Sequence, residues 1–170
     1  EFEDNLTQMV VNRDFGADTQ FTVSHRDGLL IVDTPALYVT YDGKPFSKEG
    51  LSVVVKGVAD TQFNTWHYGD EPKHNLKGTA RTLDEANGAI PLGDGVISRD
   101  GWAVLDDSAA NVIVEAYEVN GKPNPLGAWV MPRDHAETDF YFFGYGRRYT
   151  EAVQDFYKLA GPTRSEERRV

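Results

Sequence analysis

Apolar and polar residues alternate in short runs along most of this chain, and Gly, Asn and Asp separate the runs. Period-two alternation marks a half-buried strand, whereas a helix needs apolar positions every three to four residues. On that criterion strands are predicted over residues 7–12, 20–25, 29–33, 36–41, 51–55 and 62–68. Alternation returns later over 95–98, 102–105, 112–117, 128–131 and 139–144. Asp27-Gly28, Asp42-Gly43 and Asn120-Gly121 read as tight two-residue turns, because such turns need the positive φ that Gly and Asn tolerate. Asp60-Thr61 marks a further turn, between 51–55 and 62–68. The run Asp139-Phe-Tyr-Phe-Phe-Gly144 is dense in aromatics and predicts a central strand.

Helical spacing is confined to the end of the chain. Tyr149, Ala152, Val153, Phe156, Tyr157 and Ala160 form one apolar stripe, and Gly161-Pro162 stops it. Between Gly69 and Asp94 neither period holds, and irregular segments of that length are uncommon unless they serve a function. Many short strands with Gly, Asn and Asp turns predict an all-β sandwich or barrel.

With 170 residues the chain is sized for one domain. Its 27 acidic and 17 basic residues give a net charge of −10, a field that repels phosphate backbones and anionic lipid. Neither a nucleic-acid nor a membrane-surface partner is expected, and neutral sugars are indifferent to that field. Cysteine is absent, which removes disulfides, thiolate metal sites and Cys nucleophiles and fits a cytoplasmic location. No signal peptide is expected from the opening residues, and no apolar run approaches the ~18 residues of a membrane span. The Asn5-Leu6-Thr7 triplet matches a glycosylation sequon of the kind that arises by chance. The polar end, residues 164–170, is expected to be disordered or an expression remnant.

Candidate chemistry is sparse. There is no GxSxG elbow and no phosphate-cradling Gly-rich loop. His25, His67, His74 and His135 are scattered; a zinc site from His67, His74 and Asp70 or Glu71 is conceivable, but solvated loop histidines are the ordinary reading. Asp84, Glu85, Asp94, Asp100, Asp106 and Asp107 are the carboxylates from which a glycosidase pair, about 5–9.5 Å apart, would have to come. Trp102, between Gly101 and Ala-Val-Leu, reads as core rather than as a sugar-stacking platform, with Arg99 and Asp100 an ion pair at a tight turn. Trp66 and Trp129 read as core or domain-interface residues.

The block Asn75-Leu-Lys-Gly-Thr-Ala-Arg-Thr-Leu-Asp-Glu-Ala-Asn-Gly88, followed by Gly95-Val-Ile-Ser-Arg-Asp-Gly-Trp-Ala-Val-Leu-Asp-Asp-Ser108, resembles the N-terminal domain of glycoside hydrolase family 31. Weaker similarity extends from residues 7–13 to the aromatic strand and to Asp155-Phe-Tyr-Lys-Leu159. The resemblance implies an antiparallel β-supersandwich of galactose-mutarotase type over 1–146. A helical connector at 147–161 would then lead to a catalytic (β/α)8 barrel, with a tail at 162–170. A barrel needs about 250 residues, so it is not part of this chain. The implied parent is a retaining α-glucosidase or α-xylosidase acting on terminal α-linked sugars. This segment would support the barrel and lend a loop to the sugar pocket, inactive by itself.

The family's catalytic aspartates stand on barrel strands, so no catalytic residue, metal or cofactor transfers to this chain. Asp84, then Asp94, are the expected substrate-binding residues, since a carboxylate accepts bidentate hydrogen bonds from vicinal hydroxyls. The expected partners are the barrel and an α-linked oligosaccharide, with self-association through the helix a further option. The competing readings are a stand-alone carbohydrate-binding module and, more remotely, a mutarotase-like epimerase, which would need a general acid and base on one sheet face.

Overall fold

Of the three tight turns predicted, Asp27-Gly28 and Asn120-Gly121 are realised and Asp42-Gly43 opens a longer loop in a computed structural model, which describes residues 6–15, 19–58, 63–78, 87–89, 91–114, 118–123 and 128–161. At Asp27 and Gly28 φ is 52° and 80°, joining β1 (Thr22–Arg26) to β2 (Leu29–Asp33) as an antiparallel hairpin with Arg26 opposite Leu29. Asn120 and Gly121 repeat the device at 55° and 72°.

The chain divides into two compact units. One, the sheet unit, comprises Gly16–Leu105 and Phe142–Gln154. The other, the terminal unit, comprises Glu1–Phe15, Asp106–Tyr141 and Asp155–Val170.

The sheet unit is built on five antiparallel strands in sequential order, β1 to β5, completed by β3 (Leu37–Tyr41), β4 (Leu51–Val55) and β5 (Thr65–His67). Register explains its core. Val39 faces Val53 and Val53 faces Trp66, while Leu37 faces Val55 and Tyr41 faces Leu51. The period of two therefore places Leu51, Val53, Val55 and Trp66 on one side, and all four are buried. Full burial of a valine such as Val55, 1% exposed, stabilises by roughly 1.5–3 kcal/mol. The opposite side carries Thr40, Ser52 and His67, with the Thr40 and Ser52 hydroxyls 2.5 Å apart. Against the buried side lies Phe142, its ring 5.4 Å from Trp66 and stacked at 6.4 Å on Trp102. Gly144 leaves no room for a side chain: a Cβ there would overlap the Leu37 side chain and the Phe142 ring.

Phe142 belongs to β11 (Phe140–Phe143), which pairs with β6 (Ala103–Asp106). The aromatic strand was predicted to be central; it stands instead in this two-stranded ladder outside the five-stranded sheet. Its aromatics serve as a layer over the sheet rather than as part of it.

In the terminal unit β7 (Val112–Val114) pairs antiparallel with β10 (Trp129–Met131), and β8 (Glu118–Val119) forms the Asn120-Gly121 hairpin with β9 (Lys122–Pro123). Trp129, expected to be core or interface, is 48% exposed. The strand expected over 7–12 does not form. Thr7 makes an isolated bridge to Val112, and the chain then turns, Thr7 N donating to Val10 O at 2.9 Å. Val11 N and Asn12 N both donate to Leu159 O, supplying partners at the C-terminal end of α1 (Tyr149–Ala160).

The helix begins and ends as its sequence predicts, and Gly161 leaves it at φ 75°. Its buried residues are Ala152, Phe156 and Leu159, whereas Tyr157 is 42% exposed. The stripe is thus rotated toward Leu159 from the predicted one. Among the described residues the chain is all-β, with antiparallel sheets and one C-terminal helix, in keeping with the β-sandwich class. No helix there is long and apolar enough to cross a membrane. Asn5, Asp60-Thr61, the end of the strand predicted over 112–117, and the 162–170 tail lie outside the described residues.

Candidate functional site

Two places in the sheet unit gather polar side chains around open space or an irregular segment. The first is the segment predicted to reach a sugar. Its base is closed by Asn75, whose side-chain amide donates to Gly95 O at 2.8 Å while its oxygen accepts from Gly95 N at 2.9 Å and Lys77 N at 2.8 Å. Leu76 N donates to Ile97 O, Gly78 N to Gly93 O, and Asn75 bridges Ser98. One side chain thus ties both ends of the irregular segment together. Asp94 is exposed at this base and pairs with Lys77, which takes a positive φ of 63°. Asp84 and Glu85 lie outside the described residues.

The second place is a cleft of about 680 Å³ at the β5 edge, whose lining includes Phe63, Thr65, His67, Asp70, Glu71 and Lys73. Local folding places these groups. After β5 the chain turns at Gly69, φ 84°, and Asp70 N returns to His67 O. The Trp66 indole N–H donates to Asp70 O at 3.0 Å, tying that turn to the core. The Asp70 carboxylate accepts from Lys48 Nζ at 2.5 Å and from His67 N at 3.2 Å, with His67 Nδ1 at 3.4 Å. Burial works against ionisation of Asp70, but the hydrogen bonds from Lys48 and the His67 backbone outweigh it, and its pKa is lowered.

Asp100 also lines the cleft. It is 5% exposed and accepts from His74 N at 2.9 Å and from Ser98 Oγ at 3.2 Å, and its other oxygen lies 2.7 Å from His74 Nδ1. Desolvation would raise its pKa, yet the His74 ring, the His74 N–H and Ser98 more than offset this, and the carboxyl is held below its ordinary range. The ion pair expected between Arg99 and Asp100 is replaced by this arrangement, in which the Asp100 carboxylate is taken by His74 and Ser98. Trp102 is 6% exposed and donates its indole N–H to Phe63 O at 2.9 Å, so it is core as predicted and fixes the backbone beside the cleft. Phe63 is 39% exposed, and its ring meets His74 edge-on at 6.2 Å.

From sequence, His67, His74 and Asp70 or Glu71 are no more than a conceivable zinc set. Among the described residues no three His, Asp or Glu side chains are grouped to hold a metal ion. Phe63, Thr65 and Lys73 were not singled out at all. The available signal was the aromatic next to Asn64 and the charged stretch Asp70-Glu-Pro-Lys73, immediately before the resembling block.

The remaining candidate carboxylates are structural. Asp106 accepts from Ser108 N at 3.0 Å. Asp107, in the terminal unit, is 1% exposed and takes the Thr7 hydroxyl at 2.5 Å, while its Oδ1 has no hydrogen-bond partner. Burial pushes its pKa up; Thr7 opposes this, and nearby Asp139 adds to it. Arg133 spans the same region, donating to Ala110 O, Asp107 O and Asp139 and pairing with Glu137, and Arg13 joins Asp139 at 3.3 Å and the Tyr141 hydroxyl at 2.8 Å. A carboxylate sealed this way has no face open to a substrate.

Compared with known proteins, the chain matches no family model and no curated protein.

Proposed function

We propose that this chain is the non-catalytic N-terminal domain of a retaining α-glycosidase of family 31 type, which hydrolyses terminal α-linked sugars. Its work is to brace a (β/α)8 barrel and to present the 75–94 segment to the sugar pocket. The single observation that carries the reading is the Asn75 clamp, because the residues that resemble the family are the same ones that close this segment at its base. An irregular loop whose two ends are fixed by side-chain and backbone bonds can be held in place against a pocket at low entropic cost. Asp84 is the first candidate to meet sugar hydroxyls and Asp94 the second. Asp94 would exchange an exposed Lys77 ion pair, itself worth little, for the ligand.

The test is made on the gene as a whole. The isolated chain should release no glucose or xylose from p-nitrophenyl α-glycosides, while the polypeptide encoded by the full reading frame should do so with the α-anomer formed first. Asp84→Asn in that polypeptide should raise KM about tenfold, the loss of one good hydrogen-bonded contact of roughly 1.4 kcal/mol. A reading frame with no barrel after this segment would overturn the proposal. The stand-alone binding module is then the reading to take up, and the cleft at β5 is the observation that favours it.

A further inference from the structure

We infer that the cleft at the β5 edge is a binding site for a neutral saccharide, separate from the 75–94 segment. This goes beyond the accessory-domain reading, and its failure would leave that reading intact. Its size is that of a pocket for a small organic ligand, which typically spans about 300–1,000 Å³.

The groups around it divide into those already occupied and those still free to bond. Asp70 is engaged by Lys48 and His67, and Asp100 by His74 and Ser98, so these carboxylates hold the walls. Glu71 and Lys73 both line the cleft, and neither forms an ion pair among the described residues. One offers only acceptors and the other only donors. Between them they can receive and supply hydrogen bonds to adjacent hydroxyls, which are donor and acceptor at once. Phe63 supplies an exposed ring, and the apolar face of a pyranose is the complement of such a surface.

Charge narrows the class further. Lys48 and Lys73 stand against Asp70 and Glu71, and Asp100 stands against His74. A phosphate or carboxylate would meet the acids, and an ammonium the lysines. A neutral, hydroxyl-rich ligand with an apolar face meets neither penalty.

The probe is maltose, added to the isotope-labelled 170-residue chain and followed by amide and indole NMR shifts. Binding is expected to be about millimolar, as suits one ring contact and a few hydrogen bonds. It should move the amides of Thr65, Glu71 and Lys73 and the Trp102 indole N–H, whose carbonyl partner is Phe63. Glu71→Ala should weaken it about tenfold, as should Phe63→Ala, which keeps the backbone carbonyl that Trp102 uses. Because Glu71 is exposed, its replacement leaves folding intact even if that of Phe63 does not. Lys44→Ala, at an exposed position outside both the cleft and the 75–94 segment, should leave the affinity unchanged. Raising salt should also leave it unchanged, since the ligand carries no charge. Absence of shifts in the cleft, shifts indifferent to Glu71→Ala, or shifts produced by phenylalanine and not by maltose would each overturn the inference.

Discussion

Asp100 in the sheet unit and Asp107 in the terminal unit are both hidden from solvent, at 5% and 1% exposure, yet their carboxyls titrate in opposite directions. Asp100 receives two donors from His74 and one from Ser98. Asp107 receives one hydroxyl, from Thr7, and leaves an oxygen unpaired. Burial penalises the charge in both cases. What separates them is the supply of donors, so depth alone does not say whether a buried carboxylate stabilises its fold. The two units solve the same problem differently. One satisfies its acid locally, within a turn and the loop beside it, and the other surrounds its acid with arginines aimed mainly at neighbouring groups.

The strongest test of that contrast removes the cation. Arg133→Met should cost about 4 kcal/mol in urea unfolding, because Glu137 loses its guanidinium, Asp139 keeps only that of Arg13, and the Asp107 and Ala110 carbonyls lose a donor. Asp100→Ala should cost somewhat less, about 3 kcal/mol, by leaving the His74 N–H and Ser98 Oγ without their acceptor. A cost under about 1 kcal/mol for Asp100→Ala would erase the distinction, because it would put Asp100 with the poorly satisfied acids.

Acid should sharpen the contrast by sign. The folded pKa of Asp100 is depressed, so its contribution is full above the unfolded value of about 3.9 and is lost as pH falls through the folded value. The folded pKa of Asp107 is raised, so its contribution is present below about pH 3.9 and is lost as pH rises through the folded value. Stability measured against pH for the parent chain and for Asp100→Asn should therefore converge in acid. The parent chain and Asp107→Asn should instead differ most in the parent's favour there. Parallel curves for either pair would show that the group titrates alike in both states.

Much of the fold was legible where a local rule determines it, and little where a distant partner does. The Asp27-Gly28 and Asn120-Gly121 turns follow from backbone sterics within two residues. Asp42-Gly43 carries the same signal and Gly43 does have φ 75°, but the strands meet only at Tyr41 and Leu51. The intervening loop is held by the Asp42 side chain on Lys44 N, by Ser47 accepting from Gly50 and Leu51, and by Phe46 seated between Tyr41 and Tyr68. None of those bonds is announced by the Asp-Gly pair. Residues 7–12 look like a strand for want of any sign that Thr7 serves Asp107 and that Val11 and Asn12 serve the end of a helix. The cleft was illegible for the same reason, since Phe63 and Lys73 acquire a role only when Trp66 and Trp102 fix the turns that carry them. The Asn75–Ser108 block stands out in sequence only by its resemblance, and its Asn75 clamp joins residues 20 apart, so no local rule announces it.

The smallest effect expected is also the most discriminating. Asp107→Asn removes a charge that burial disfavours while keeping an oxygen for the Thr7 hydroxyl. Arg133 still pairs with Asp139 and Glu137, and its bond to residue 107 runs to the backbone carbonyl, which the substitution does not touch. Near neutral pH the change should lie within about 1 kcal/mol of zero, and a gain in stability is in keeping with a carboxylate whose folded state resists ionisation. A loss as large as that of Asp100→Ala would mean that the arginines depend on the Asp107 charge after all. The terminal unit would then be an ion-pair cluster in which every acid counts, rather than one that tolerates an acid it does not satisfy.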